Sequence, residues 1–162
     1  MIRSIAAVDD ELGLATDGGI PWSAPADVAH FRAATARVDV LMGYATYVEF
    51  EHPMPDCVNY VATRRGVALR EGFRPVGDVW SFLSDDHPGD IWIIGGATLY
   101  ATTLGMTDEL HLTRVQGDFD CTKFFPPFEA TFQLATETTP PRSEGACSIR
   151  FQTWTPRAPF AR

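Results

Sequence analysis

The sequence predicts a single α/β domain over residues 1–162, with a mainly parallel central sheet that ends in an antiparallel edge. Three observations lead there. Short apolar runs alternate with stretches that begin and space like helices. Glycines stand where two of those runs give way to helices. The last part of the chain holds two strand-like runs on either side of a Pro/Gly-rich turn region.

In chain order, Ile2–Val8 is a β-branched apolar run and reads as a buried strand. Residues 9–19 are polar, close on Asp17-Gly18-Gly19, and read as a long mobile loop that either covers a site or merely runs over the surface. A helix is expected over Pro25–Thr35, a strand over 38–42, a short helix to Phe50, and a third strand over 58–63. Phe73–Val76 is a short strand, and Asp78 suits the cap of a helix through Ser84 that ends at Asp85-Asp86-His87-Pro88-Gly89. The wholly apolar 91–94 runs into Gly95-Gly96 and a helix over 97–104. A strand over 108–115, a Phe/Pro-rich loop over 116–129 and an antiparallel pair at 131–138 and 148–155 complete the chain. No repeat, low-complexity tract or second domain is visible.

Composition excludes several classes. With 45% apolar residues the chain is ordinary for a globular protein, and no run nears the ~18–20 apolar residues of a membrane span. The N-terminus does not read as a signal peptide. Cys57, Cys121 and Cys147 are odd in number and form no CxxC pair, so neither a disulfide framework nor a metal site is expected, and a reducing cytoplasm is the simplest home. A net charge of −8, from 13 basic and 21 acidic residues, argues against nucleic acid as a partner. Any anionic ligand must then meet positive charge that is concentrated locally.

The chemistry centres on the stretch from Ile20-Pro21-Trp22 to Arg32. Pro25 suits the first helical position, and Asp27 falls in the first turn, where the helix dipole favours a carboxylate. Phe31 and Ala34 follow at i+4 and i+7, so Asp27 shares the apolar stripe. Such a carboxylate is either a helix-end stabiliser or a site. Gly95-Gly96 and Gly43 with Thr46 stand at strand-to-helix junctions, where bare backbone can approach a pyrophosphate, although a tight turn asks for the same residues. Arg64 and Arg65 end the third strand and suit the 2′-phosphate of NADP, if they are not simply solvated. No GxGxxG is present, so the dinucleotide reading does not rest on a Rossmann fingerprint.

The ordered set of motifs resembles the dihydrofolate reductase family over roughly residues 2–155. The matching pieces are Ile5-Ala6-Ala7, Ile20-Pro21-Trp22, Pro25-Ala26-Asp27, Phe31, Met42-Gly43 with Thr46, and Pro53-Met54-Pro55. They continue with Asn59, Thr63-Arg64, Ile93-Ile94-Gly95-Gly96-Ala97 with Tyr100, Leu112-Thr113, and Phe124-Phe125-Pro126. The resemblance implies a three-layer fold with helices on both faces of the sheet, and NADPH-dependent reduction of 7,8-dihydrofolate to tetrahydrofolate. It gives Asp27, Trp22 and Thr113 the catalytic roles: Asp27 binds the pterin edge, Trp22 positions a water, and Thr113 hydrogen-bonds Asp27. Ile5, Ala6, Ala7, Val28, Phe31, Arg32, Phe50, Ile94 and Tyr100 would join Asp27 and Thr113 around the substrate. The cofactor would meet Ala7, Leu14, Ile20, Gly43, Tyr44, Ala45, Thr46, Thr63, Arg64 and Arg65. It would also meet Ile94, Gly95, Gly96, Ala97, Thr98, Leu99, Tyr100 and Thr122. The loop over residues 9–24 would close on bound ligands.

Departures from the family pattern mark the substrate tail. Cys57 stands where an arginine for the folate α-carboxylate is usual, leaving Arg32 as the nearest basic candidate. Tyr44-Ala45 replaces a basic residue at the cofactor phosphates, and Cys121-Thr122 replaces Asp-Thr, which is expected to weaken hydrogen bonds between loops. The competing expectations are a same-fold NADPH reductase of another pterin or a riboflavin-pathway pyrimidine, and a non-catalytic NADP-binding module. A monomer acting on a small molecule, with neither membrane nor nucleic-acid partner, is expected.

Overall fold

The computed structural model describes residues 1–87 and 89–160; Pro88, in the turn expected after the third helix, lies outside them. The chain runs β1 (Ile2–Val8), β2 (Gly13–Ala15), α1 (Pro25–Thr35), β3 (Asp39–Gly43), α2 (Tyr44–Glu49), β4 (Asn59–Ala62) and β5 (Phe73–Val76). It continues with α3 (Val79–Ser81), β6 (Ile91–Ile93), α4 (Ala97–Thr103), β7 (Glu109–Val115), β8 (Lys123–Phe124), β9 (Phe132–Thr138) and β10 (Ile149–Pro156). Eight strands form one sheet in the order β5-β4-β3-β6-β1-β7-β10-β9. The pairs from β5 to β7 are parallel, and β10 pairs antiparallel with both β7 and β9.

Alternation along the strands divides the core into two faces. Arg3, Ile5 and Ala7 of β1 lie on one face, where Ile5 joins Val40, Met42, Val61 and Trp92 against Phe31 and Ala34 of α1 and Tyr44 and Tyr47 of α2. Ile2, Ala6 and Val8 lie on the other, with Leu41, Ile91, Ile93 and Leu110 against Leu99 and Tyr100 of α4. The three-layer expectation holds. Fully buried Phe125, Phe128 and Phe132 close the second face under the C-terminal strands.

Two expectations are corrected. The helix at Asp78 is short: the Asp78 carboxylate caps it by accepting from Ser81 N at 3.1 Å, but Val79–Ser81 passes at once into a π-type turn over Phe82–Asp86. His87 N–H donates to Phe82 O at 2.9 Å and closes that turn. The supposed loops over residues 9–19 and 116–129 are not free of strand structure, because β2 pairs with β8.

Those loops are also knit together more firmly than Cys121-Thr122 led one to expect. Asp9 is fully buried and accepts backbone N–H groups from Glu11 at 2.9 Å, Gly13 at 2.7 Å and Phe119 at 3.1 Å. Burial pushes its carboxyl upward, but these donors and the Cys121 thiol outweigh it and hold the group below its ordinary range. The carboxylate that Cys121 cannot supply is supplied from the facing loop. Burial, and then the charge of Asp9, pushes the Cys121 thiol up to about 11, so it stays protonated and donates. Thr122 adds its N–H to Ala15 O at 2.9 Å and its hydroxyl to Asp17 Oδ1 at 3.0 Å. Gly13 is the tight point. A Cβ there would sit 2.5 Å from Cys121 Cβ and 2.8 Å from Asp9 Oδ1. Gly13→Ala is therefore expected to destabilise the fold by about 1–3 kcal/mol, read as a lower thermal midpoint. An unchanged midpoint would show that the two loops part without cost.

Candidate active site

Asp27 sits in the first turn of α1, with Pro25 at the helix start and no side-chain cap at Ala24. The helix lies over β1 and β7, and the register sets Ala7 opposite Thr113. The Thr113 hydroxyl donates to the Asp27 carboxylate. Burial raises the Asp27 pKa above its ordinary value; the Thr113 bond and the nearby imidazole of His30 offset only part of that rise. A carboxylate held partly desolvated in this way is more than a helix-end stabiliser needs, because dipole stabilisation alone gives no reason to bury it.

The other walls converge on this group. Tyr100 is buried and its hydroxyl donates to Ile5 O at 2.6 Å, pinning α4 to the middle of β1. Burial raises the phenol strongly, and the charge of Asp27 pushes it the same way, so it remains a proton donor. Trp22 packs edge-on against Phe119 with centroids 5.4 Å apart, in a cluster that includes Ala7, Ala26 and Phe151. Ile94 and the half-buried Phe31 and Phe50 belong to the Ile5 cluster. Ile20 and Val28 remain 67% and 50% exposed, which leaves an apolar rim open to a ligand.

The two glycine junctions, distant in sequence, meet because β3 and β6 are neighbours. Gly43 N–H donates to Gly95 O at 2.6 Å, and the Gly95–Gly96 peptide is cis. Gly95 has φ +120°, and a Cβ on it would lie 3.4 Å from the Tyr100 hydroxyl and 3.5 Å from Thr46 Oγ1. Glycine is needed there for its conformation, since a Cβ would meet these groups only at ordinary contact distance. Beside this junction the guanidinium of Arg65 lies 4.5 Å from the Tyr44 ring centroid, and Arg65 N–H donates to Thr63 Oγ1 at 3.1 Å. Arg64 is exposed, as are Ala45 and Thr98, while Ala97 is half-buried.

Some candidates are placed differently from what the motifs implied. Ala6 turns its side chain to the α4 face, and Leu99 buries its side chain in the same cluster, so both can offer only backbone. Leu14 is half-buried against that cluster too, and Thr122 is engaged with Asp17. Arg32 is exposed in the last turn of α1. Cys57 is half-buried, its thiol 3.6 Å from Met54 O. Burial and the charges of Asp39 and Asp56 push that thiol up, so the position is acidic as well as lacking an arginine. Sequence reading missed His30, His111 and Asp9. His30, three residues beyond Asp27, carried a signal in its spacing.

The chain matches the family model for dihydrofolate reductase over residues 1–155. It is 34% identical over 130 residues to the type 3 dihydrofolate reductase of Salmonella typhimurium, covering 79% of this chain and 80% of that one. Against the dihydrofolate reductase of Bacillus subtilis it is 29% identical over 135 residues, 80% and 77% of the two chains. A solved dihydrofolate reductase from Enterococcus faecalis, complexed with NADP(H) and RAB-propyl, superposes with a TM-score of 0.89 at 22% identity, over 98% of this chain and 97% of that one. A family match spanning almost the whole sequence, on a fold that superposes on a solved member, places the chain in the dihydrofolate reductase family.

Proposed function

We propose that the enzyme reduces 7,8-dihydrofolate to 5,6,7,8-tetrahydrofolate with NADPH as the hydride donor. The observation that carries the reading is the partly desolvated Asp27 carboxylate, bonded by Thr113 and facing apolar walls beside the paired glycine junctions. Bound NADPH supplies the hydride. The donor set fits it: glycine backbone at Gly43, Gly95 and Gly96 leaves room at a strand-to-helix junction, with Thr46 alongside and Arg64 and Arg65 for a phosphate.

The chain's own residues then do the following. Asp27 accepts from the pterin's amino group and ring N–H, a planar edge that suits a carboxylate. Thr113 fixes the carboxylate's orientation by donating to it. Tyr100 stays protonated and holds the Ile5 carbonyl in place, so the pocket floor does not shift when ligands bind. Trp22, backed by Phe119, holds the near end of the 9–24 loop at the pocket, where closure excludes bulk water. The enzyme is expected to act as a monomer on a small molecule in the cytoplasm. Measuring NADPH oxidation with dihydrofolate, dihydropteroate and dihydrobiopterin side by side tests the reading, and inactivity on all three would overturn it.

A second reading, that the natural pterin lacks a glutamate tail, is favoured by the acidic surroundings of Cys57. A thiol offers no planar donor fork, and nearby carboxylates repel a substrate carboxylate. The wild type is expected to use dihydropteroate and dihydrofolate with similar kcat/KM. Cys57→Arg is expected to create a preference for dihydrofolate of about tenfold, the worth of one partly exposed charge pair. If the wild type already prefers dihydrofolate strongly and Arg32→Ala keeps that preference, another residue holds the tail.

A further inference from the structure

We propose that His30 is a positioning residue for Asp27, an imidazole held on the same helix face by its stack on Phe151, that sets how readily that carboxylate gains and gives up its proton. The inference rests on the reading of Asp27 as the pterin-binding group, and names a regulator of that group which neither the motifs nor the comparisons assign.

The geometry is a line of contacts that runs from His30 through Phe151 to the neighbouring strand, where Thr113 bonds Asp27. His30 lies three residues beyond Asp27 on α1, so the two side chains share a helix face. The imidazole stacks on Phe151 of β10, with ring centroids 4.2 Å apart and planes 20° from parallel. Phe151 is the register partner of Thr113 on β7, and Thr113 bonds Asp27. The imidazole is thus held by the strand next to the one that orients the carboxylate. It cannot swing to solvent without losing the stack.

Charge follows the same path. Burial, against which the charge of Asp27 works, lowers the His30 pKa, and repulsion from His111 lowers it further. His111 lies two residues before Thr113 and so on the same sheet face. Its Nε2 is 3.0 Å from Glu109 Oε2, and its ring is edge-on to Trp92 at 4.9 Å. Glu109 lies 3.4 Å from Arg3 Nε, and Arg3 lies 3.3 Å from Asp90. The ionisable groups acting on His30 are therefore Asp27 on its own helix and His111 on β7, with Glu109 and Arg3 behind His111; β10 presents Phe151. A cationic His30 favours the ionised form of Asp27 against the effect of burial, and a neutral one does not.

The test is the titration of Asp27 followed by 13C NMR of the aspartate carboxyls, its resonance assigned with Asp27→Asn, in the wild type, His30→Phe and His30→Gln. Phenylalanine keeps the stack on Phe151 without charge; glutamine keeps polarity and serves if the Phe variant folds poorly. Loss of the imidazolium is expected to move the Asp27 midpoint to higher pH in both. The ionisation seen in kcat/KM should move the same way, so that the variant-to-wild-type ratio changes about twofold or more between its acid and alkaline plateaus. An Asp27 midpoint that stays put in both variants, or a loss of kcat/KM equal at every pH, overturns the proposal. Should no variant nor the wild type reduce dihydrofolate, the functional reading fails while the NMR titration still decides the coupling.

Discussion

Asp27→Asn is expected to lower kcat for dihydrofolate by about two orders of magnitude or more while leaving NADPH affinity near that of the wild type. Asparagine matches the size of aspartate and keeps a partner for Thr113, but its amide carries no charge and turns a donor toward the pterin edge. The glycine junction at Gly43, Gly95 and Gly96, proposed for the cofactor, is formed by other strands and is untouched. The same substitution has a stability signature. Burial raises the Asp27 pKa above its ordinary 3.8, so folding penalises its charged form. That penalty is absent below 3.8, grows as pH rises through the folded value, and is complete above it. The variant should therefore melt higher than the wild type at pH 7–8, with the gap closing toward acid pH. An inactive variant that is also less stable at neutral pH would make Asp27 a structural residue. One that turns over normally would remove it from the mechanism.

Much of the framework of this candidate site is legible in the sequence because local rules act on short stretches. Pro25 and Asp27 fix where α1 starts and which side of it carries the carboxylate, and the helix is found at those bounds. The apolar run at Ile91–Ile93 and the glycines after it likewise give a buried strand and a junction. What sequence could not reveal depends on register between distant strands. That Gly43 touches Gly95 follows from β3 lying beside β6, an adjacency that no local pattern encodes. The same holds for Phe151 under His30, which requires β10 to run back along β7. Side-chain direction was lost for Ala6, since one step along a strand turns a residue to the other face. The loop clamp departs from expectation for a related reason: Cys121 brings no carboxylate of its own, whereas Asp9 supplies one from across the gap. The helix expected at Asp78 began on a sound cap, but a cap fixes a start and not a length.

The enzyme is expected to bind NADPH more tightly than NADH by about ten- to a hundredfold for each arginine that meets the 2′-phosphate. The two arginines should not contribute equally. Arg65 is preorganised: its guanidinium rests on the Tyr44 ring and its backbone is tied to Thr63 Oγ1, so little freedom is lost when a phosphate arrives. The backbone and side chain of Ser81 hold the Asp78 carboxylate low and the charge of Arg64 adds a little to this, so Arg64 faces a carboxylate that Arg65 does not. Arg65→Ala should therefore lose most of the preference and Arg64→Ala a smaller part, with NADH affinity nearly unchanged in both. The arginines are exposed, so the preference should also shrink as salt rises, unlike the affinity for NADH. Quenching of tryptophan fluorescence on titration with each dinucleotide, at low and high salt, measures all of this. Equal wild-type affinities for NADPH and NADH would remove both arginines from the cofactor site, and equal losses in the two single variants would remove the role assigned to Tyr44.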